Sequence, residues 1–430
     1  MKTPFKWDNH SDQPALLKDK AYKKQMRKKE LGSLFKTAGM ALLTLPLSLM
    51  MMPFIKRRTI DSETFFSLGV DFERNTQETH QLIEELGVKH ILLRVKLWEM
   101  EKLPELEAFI KQHATKTITL KILQDREHIE DKELLEKDLH NIFEALHSYV
   151  DYFEIGSTIN RAKWGFFSVR EYLEFFQVAY KLKKEHYPNI KLLGGGVIDF
   201  EFHYTAHTLF NLCKCHYDAT AALLYVDRRG APENTQLGFT LTDKIAFLST
   251  MVWLSPKTNH ALHITEVNWP ISNTAPYAPT SEHECVSEQH YRDYMLRYYF
   301  LAFASQQVDA VSWHQLIAPG YGLIDNRESI IKREAFYAYK YMLRVLQKAQ
   351  FLRLDIKRNY YILQVWVDEQ LVQIHWSLKP TTLKNEDYFD AYNTLGEKIT
   401  TDILKIASAP VYLFITKEVG KEVNASERIE

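Results

Sequence analysis

From position 65 onward, short apolar runs of strand length alternate with longer amphipathic segments, eight times over. The runs are FFSLGVDFE, HILLRVKLW, TITLKILQD, DYFEIGST, IKLLGGGVIDFE, AALLYVDRRG, HALHITEVNW and AVSWHQLIAPG. Segments such as TQETHQLIEELG, DKELLEKDLHNIFEALHSY and HYRDYMLRYYFLAFASQQ lie between them, and KREAFYAYKYMLRVLQKA closes the series. Eight strands, each followed by a helix, describe an α/β chain folded as a (β/α)8 TIM barrel. Such barrels take about 250 residues, more with long loops. An open doubly wound sheet is disfavoured because no glycine-rich phosphate loop follows the first strand. The LGGGV of the fifth run precedes IDFEF and opens no helix. Its glycines read instead as room for a neighbouring side chain.

The chain has 430 residues, enough for this barrel and a smaller domain. The barrel is expected over 61–348. After that the period shortens: YYILQVWVDEQLVQIHWSL reads as two strands with a tight turn, and YFDAYNTLGEKIT and PVYLFITK as further strands. They predict a small β-sandwich-like domain over 349–420, then a polar tail, 421–430. Formal net charge is -1, which gives no basic field for nucleic acid. Three cysteines make no disulfide framework, and the Cys213, Cys215, His216 cluster matches no zinc spacing. Neither a metal nor a cofactor is expected.

The front of the chain differs. A basic segment, 1–36, carries Lys18, Lys20, Lys23, Lys24, Arg27, Lys28 and Lys29. It leads into an uncharged stretch, 37–55, just long enough to span a bilayer, where about 17–25 residues are needed. A buried core helix and a cleaved signal peptide are the rival readings. Pro46, Pro53 and the polar flanks speak against the first, and the absence of a small-x-small site against the second. The expectation is a single-pass transmembrane helix. Basic residues are heavier upstream than in the Lys56, Arg57, Arg58 flank, which favours a large domain outside the cytoplasm, periplasmic or extracellular, over the alternative of an anchor whose large domain stays cytoplasmic.

Active sites of such barrels lie at the C-terminal strand ends. This puts Arg94, Asp125, Thr158, Asp199, Asp227, Glu266 and Trp313 at one opening. Glu266 ends the seventh strand. Arg94, flanked by Leu93 and Val95, needs a partner if it points inward, and Glu266 would serve. Such a pair would also hold Glu266 ionised. Tyr225 could donate a hydrogen bond to it. Trp98, Trp269 and Trp313 offer apolar faces for sugar rings.

From about Phe65 to Tyr412 the chain resembles the (β/α)8 glycoside hydrolases that carry catalytic glutamates on strands four and seven, nearest their xylosidase-like members with an appended β-domain. ITEVNW resembles their nucleophile segment and implies that role for Glu266. YFEIGSTINRAKWG resembles the segment that holds an Asn-Glu pair, with Glu154, Gly156, Asn160 and Trp164 in similar surroundings. Here the pair aligns with Ser157 and Thr158, so the acid/base position carries no carboxyl. VSWHQLIAPGYGLID resembles the eighth strand and loop, with Trp313 as sugar platform, and Arg94 resembles the arginine beside the nucleophile. The resemblance implies an oligosaccharide or polysaccharide partner. Asp199, Glu201, His203 and Asp227, from adjacent strand ends, are the candidate replacement acids. Two readings stay open: a hydrolase acting on O-glycosyl bonds of an envelope or surface glycan, and a catalytically degenerate glycan-binding barrel anchored in a membrane.

Overall fold

The computed structural model describes residues 5–416, apart from 56, 387 and the side chain of residue 228. Eight parallel strands close a barrel in chain order. They are β1 (Phe66–Gly69), β2 (His90–Lys96), β3 (Thr117–Leu123), β4 (Tyr152–Ile155), β5 (Leu192–Ile198), β6 (Ala219–Leu223), β7 (Leu262–Val267) and β8 (Ala310–Trp313). The ring closes where β8 pairs with β1, Val311 opposite Phe66 and Trp313 opposite Leu68. Each strand overlaps one of the runs read from sequence.

The main helices follow in the same order: α1 (Thr76–Leu86), α2 (Leu103–Gln112), α3 (Lys132–Leu146), α4 (Val169–Glu185), α5 (Phe202–Leu209), α6 (Leu241–Leu254), α7 (Glu288–Ser305) and α8 (Glu334–Leu346). Their starts are chemically marked. Asp131 accepts from two backbone N–H groups of α3, Ser168 caps α4, and Thr240 and Asp243 form a reciprocal capping box on α6. α1 ends at Gly87, whose φ of 69° suits a residue without Cβ.

Strand residues such as Leu93, Ile118, Leu120, Ile122, Phe153 and Ile264 are fully buried. Against that background three charged side chains sit in one row. Arg94 is the ladder partner of Lys121, and Lys121 of Glu154.

The C-terminal part forms a five-stranded antiparallel sheet, in the order Gln350–Lys357, Tyr360–Val367, Gln370–Ser377, Val411–Ile415, Phe389–Tyr392. A two-stranded sheet, Thr381–Lys384 with Ile403–Ile406, accompanies it. The larger sheet shares a core with the barrel through Val365, Ile374, Trp376 and Tyr412. Arg297 of α7 and Glu233, both buried, pair at 2.9 Å beneath it, and Trp376 donates to Glu233 at 2.8 Å. The tail expected over 421–430 lies outside the described residues.

The first part of the chain is folded onto the barrel. A hairpin (Trp7–Asp8 with Gln13–Pro14) precedes a basic helix, Lys20–Lys29. Next comes an apolar helix, Leu31–Met51, extended by a single turn to Phe54. It begins ahead of the uncharged stretch because Lys36, which bounded that stretch in the sequence, is tolerated on an exposed face. The helix is long and apolar enough to cross a membrane. It packs against α4, α5 and α6.

Candidate active site

Glu266 sits near the end of β7 with its side chain 14% exposed. Tyr225, just beyond β6, donates to its Oε1 at 2.7 Å. The cation beside Oε2 is Lys121 of β3, at 3.3 Å. Lys121 is fully buried and lies 3.5 Å from Glu154, which accepts from Thr265 Oγ1 at 3.1 Å. Burial alone would raise the Glu266 pKa, but Lys121, His314, the Tyr225 hydrogen bond and Arg94 outweigh it and pull it to about 2. The nearby Glu154 carboxyl goes the other way. Burial dominates there, reinforced by the charge of Glu266, and pushes it up to about 7. The two glutamates thus differ sharply in protonation although one lysine touches both. Tyr225 is raised well above its ordinary value by burial and by Glu266, so it remains a donor at neutral pH.

Arg94 does not pair with Glu266. Its guanidinium binds Asp12 of the N-terminal hairpin, and Arg74 approaches the same carboxylate at 3.7 Å. Against the cost of burial, Arg94 and Arg74 hold Asp12 far below the usual carboxylate range. The hairpin turn thereby lies over the barrel mouth. Gln13 donates to the Pro279 carbonyl at 2.8 Å and accepts from Lys163 at 2.6 Å. Trp7 meets Trp98 and Trp164 with ring centroids 5.1 and 5.8 Å away. Trp98 therefore carries the hairpin.

Beneath the hairpin is a cavity of about 210 Å³ lined by Asp12, Gln13, Thr158, Lys163, Tyr225 and Glu266, among others. Thr158 follows β4 with φ 52°, a left-handed conformation uncommon for a β-branched residue. Ser157 is anchored through its backbone to Gln124. Asn160 clamps the Ile198 backbone and donates to Glu201 at 2.7 Å. Lys163 is pulled down to about 8, mainly by burial and then by Arg161.

The candidate replacement acids divide. Asp199 and Glu201 both bind Arg161, at 2.6 and 2.7 Å. With Asp227 they line a second cavity of about 330 Å³ that shares Tyr225 and Arg229 with the first. The Arg229 guanidinium stacks 3.6 Å over the Tyr225 ring, forming the wall between the two. His203 lies elsewhere, in an apolar groove between α5 and the apolar helix. Trp269 and Trp313 are buried and stacked on each other, centroids 5.8 Å apart at 18°. Their indoles donate to the Arg229 carbonyl and to Tyr291. Both pack inside rather than line the cavity of Glu266.

Sequence reasoning missed Lys121, Asp12, Gln13 and Lys163. Lys121 carried the same signal as Arg94, a cation inside an apolar strand run. Asp12 carried none, since it precedes every periodic segment. Among the described residues no group of His, Cys, Asp and Glu could hold a metal ion.

No protein-family model matches the chain, and no curated protein does. Solved structures share its fold at low identity. A family 39 glycoside hydrolase from the gut symbiont Bacteroides cellulosilyticus WH2 superposes with TM-score 0.65 at 14% identity, over 84% of this chain and 82% of that one. A family 30 endoxylanase from Clostridium papyrosolvens C71 gives 0.56 at 9%, over 84% and 97%. A family 51 alpha-L-arabinofuranosidase from Bifidobacterium longum gives 0.52 at 11%, over 84% and 97%. The barrel with its appended β-domain is therefore a fold these glycosidases also use; a shared fold leaves the chemistry to the site.

Proposed function

We propose that the Glu266 cavity binds the end of a glycan and that Glu266 is the nucleophile of a retaining-type glycoside hydrolase reaction. The observation that carries this reading is the setting of Glu266. A carboxylate at a barrel strand end is held ionised by Lys121 and oriented by Tyr225, facing a cavity that Thr158 and Lys163 also line. That is what attack on an anomeric carbon requires. Thr158, which lines the same cavity, cannot protonate a leaving group. Lys163, on the same cavity with its pKa lowered toward neutrality, is the proton donor we assign in its place. Asp199, Glu201 and Asp227 would contact a further sugar through the adjoining cavity. Arg94 lines the cavity while holding Asp12, and Trp98 acts only through Trp7.

The reaction is slow on ordinary glycosides, because losing a matched general acid costs about 10²–10⁴-fold. An activated fluorosugar or epoxide should label Glu266 covalently, since a good leaving group needs little protonation. The Glu266→Gln protein should take no label. A second reading, glycan binding without turnover, is favoured by Thr158 itself. It expects saturable sugar binding, no covalent adduct, and affinity little changed by Glu266→Gln.

A further inference from the structure

The apolar helix is packed the wrong way round for a soluble protein. Ser33, Thr37, Thr44 and Ser48, spaced to share one face, are its buried residues. Thr37 bonds His207 of α5 at 2.8 Å, and both Thr37 and Thr44 donate to carbonyls of their own helix. Met40 and Leu45 pack against the core, but most of the large apolar side chains point away from the barrel. Phe35, Leu42, Leu43, Met50 and Phe54 are each more than 60% exposed. On the flanking elements, Trp253 of α6 and Leu212 after α5 are exposed as well. Water-facing apolar surface of this extent marks a contact site.

Both ends of the helix are fastened to the same body. Just before it, the Glu30 side chain is fully buried and accepts from Ser168 at 2.7 Å and from Arg170 Nε at 3.0 Å. Just after it, Arg58 donates to Asp309 and to the His260 carbonyl, both at 3.0 Å. Ser168 is at the mouth rim and Asp309 at the opposite rim, before β8. The helix, about 31 Å long at 1.5 Å per residue, therefore runs along the barrel flank from rim to rim. A bilayer crossing would require one of these ends to let go, breaking the contacts of Glu30 or those of Arg58.

We infer that the apolar helix lies in the plane of an anionic lipid membrane, docking the barrel on its flank, without crossing the bilayer. Charge selects lipid as the occupant. Exposed Lys24, Arg27, Lys28 and Lys29 lead into the helix, Lys36 lies on it, and Arg57 follows it. Cations at both ends of an apolar face suit anionic headgroups above acyl chains. A second copy of this chain would instead bring the same cations together. With the helix along the barrel axis, the mouth opens parallel to the membrane surface.

The test uses the purified full chain and vesicles of phosphatidylcholine with or without phosphatidylglycerol. Flotation is expected with phosphatidylglycerol and should fall without it. The Leu42→Asp, Leu43→Asp protein should lose binding by roughly tenfold or more, with its near-UV circular dichroism unchanged because both side chains face outward. Sidedness is read in a Cys213→Ser, Cys215→Ser, Cys285→Ser background carrying Lys29→Cys or Arg57→Cys. On vesicles, a membrane-impermeant maleimide should reach both positions from outside. Protection of one of the two means the helix crosses and overturns the inference. So does failure of the wild-type chain to float, or a dimer in solution that the Leu42→Asp, Leu43→Asp pair dissolves.

Discussion

Lys121 stands 3.3 Å from Glu266 and 3.5 Å from Glu154, a single buried cation between two carboxyls. Removing it leaves Glu266 without its nearest positive charge. Lys121→Met should cost about 3–5 kcal/mol, the range for breaking a buried pair, and should raise the Glu266 pKa. Urea unfolding measures the first. Adding Glu154→Gln should recover part of the loss, and a strictly additive double variant would count against the bridge.

Glu154 also sets a pH dependence. Its folded pKa, about 7, exceeds the unfolded value, so the folded state holds the extra proton between pH about 4.5 and about 7. Stability from this group is present below that window and declines as pH rises through it, by about 3 kcal/mol at most. Glu266 has the opposite sign: its folded pKa, about 2, makes its contribution full above pH about 4.5 and lost as pH falls toward 2. The difference between wild type and Glu154→Gln, from urea unfolding across this range, should grow with pH in the mutant's favour. A flat difference would show that Glu154 titrates normally.

The hairpin over the mouth depends on one carboxylate. Asp12→Ala strands the buried Arg94 and should release the hairpin, with a penalty of about 3–5 kcal/mol if it stays docked. Hydrogen exchange is the direct measure: amides around Trp7 and Gln13 should lose protection while those of β2 keep theirs.

Thr158→Glu supplies a second carboxyl on the cavity that Glu266 lines and replaces a β-branched residue at a left-handed φ. Hydrolysis of an unactivated aryl glycoside should rise, by up to about 10²–10⁴-fold. Turnover unchanged from wild type would favour binding alone.

Gly194 of β5 faces Tyr217, and a Cβ there would come within 2.2 Å of the ring. Gly194→Ala should therefore lower stability by about 1–3 kcal/mol through overpacking, read as a lower Tm.

The barrel was legible because each strand is a run of buried apolar residues and each helix an amphipathic period, signals local to a few residues. Glu266 was legible for the same reason: a carboxylate where such a run ends. Its cation was not. Arg94 and Lys121 look alike in sequence, and only the ladder rows and their shear decide which one faces β7. Trp313 and Trp269 have the composition of a sugar platform, yet helix α7 supplies Tyr291, Tyr294, Tyr298 and Tyr299 to enclose them. The hairpin was beyond reach, since its meaning rests on Arg94 and Pro279, residues far along the chain.

That distance has a consequence for biogenesis. Gln13 bonds to a carbonyl 266 residues later, and β1 pairs with β8 at a similar remove. Residues 7–14 are thus made long before the loop that seats them. Until the loop holding Pro279 has been made, residues 7–14 have no finished mouth to cover, and the half-built barrel stands open to whatever binds there first.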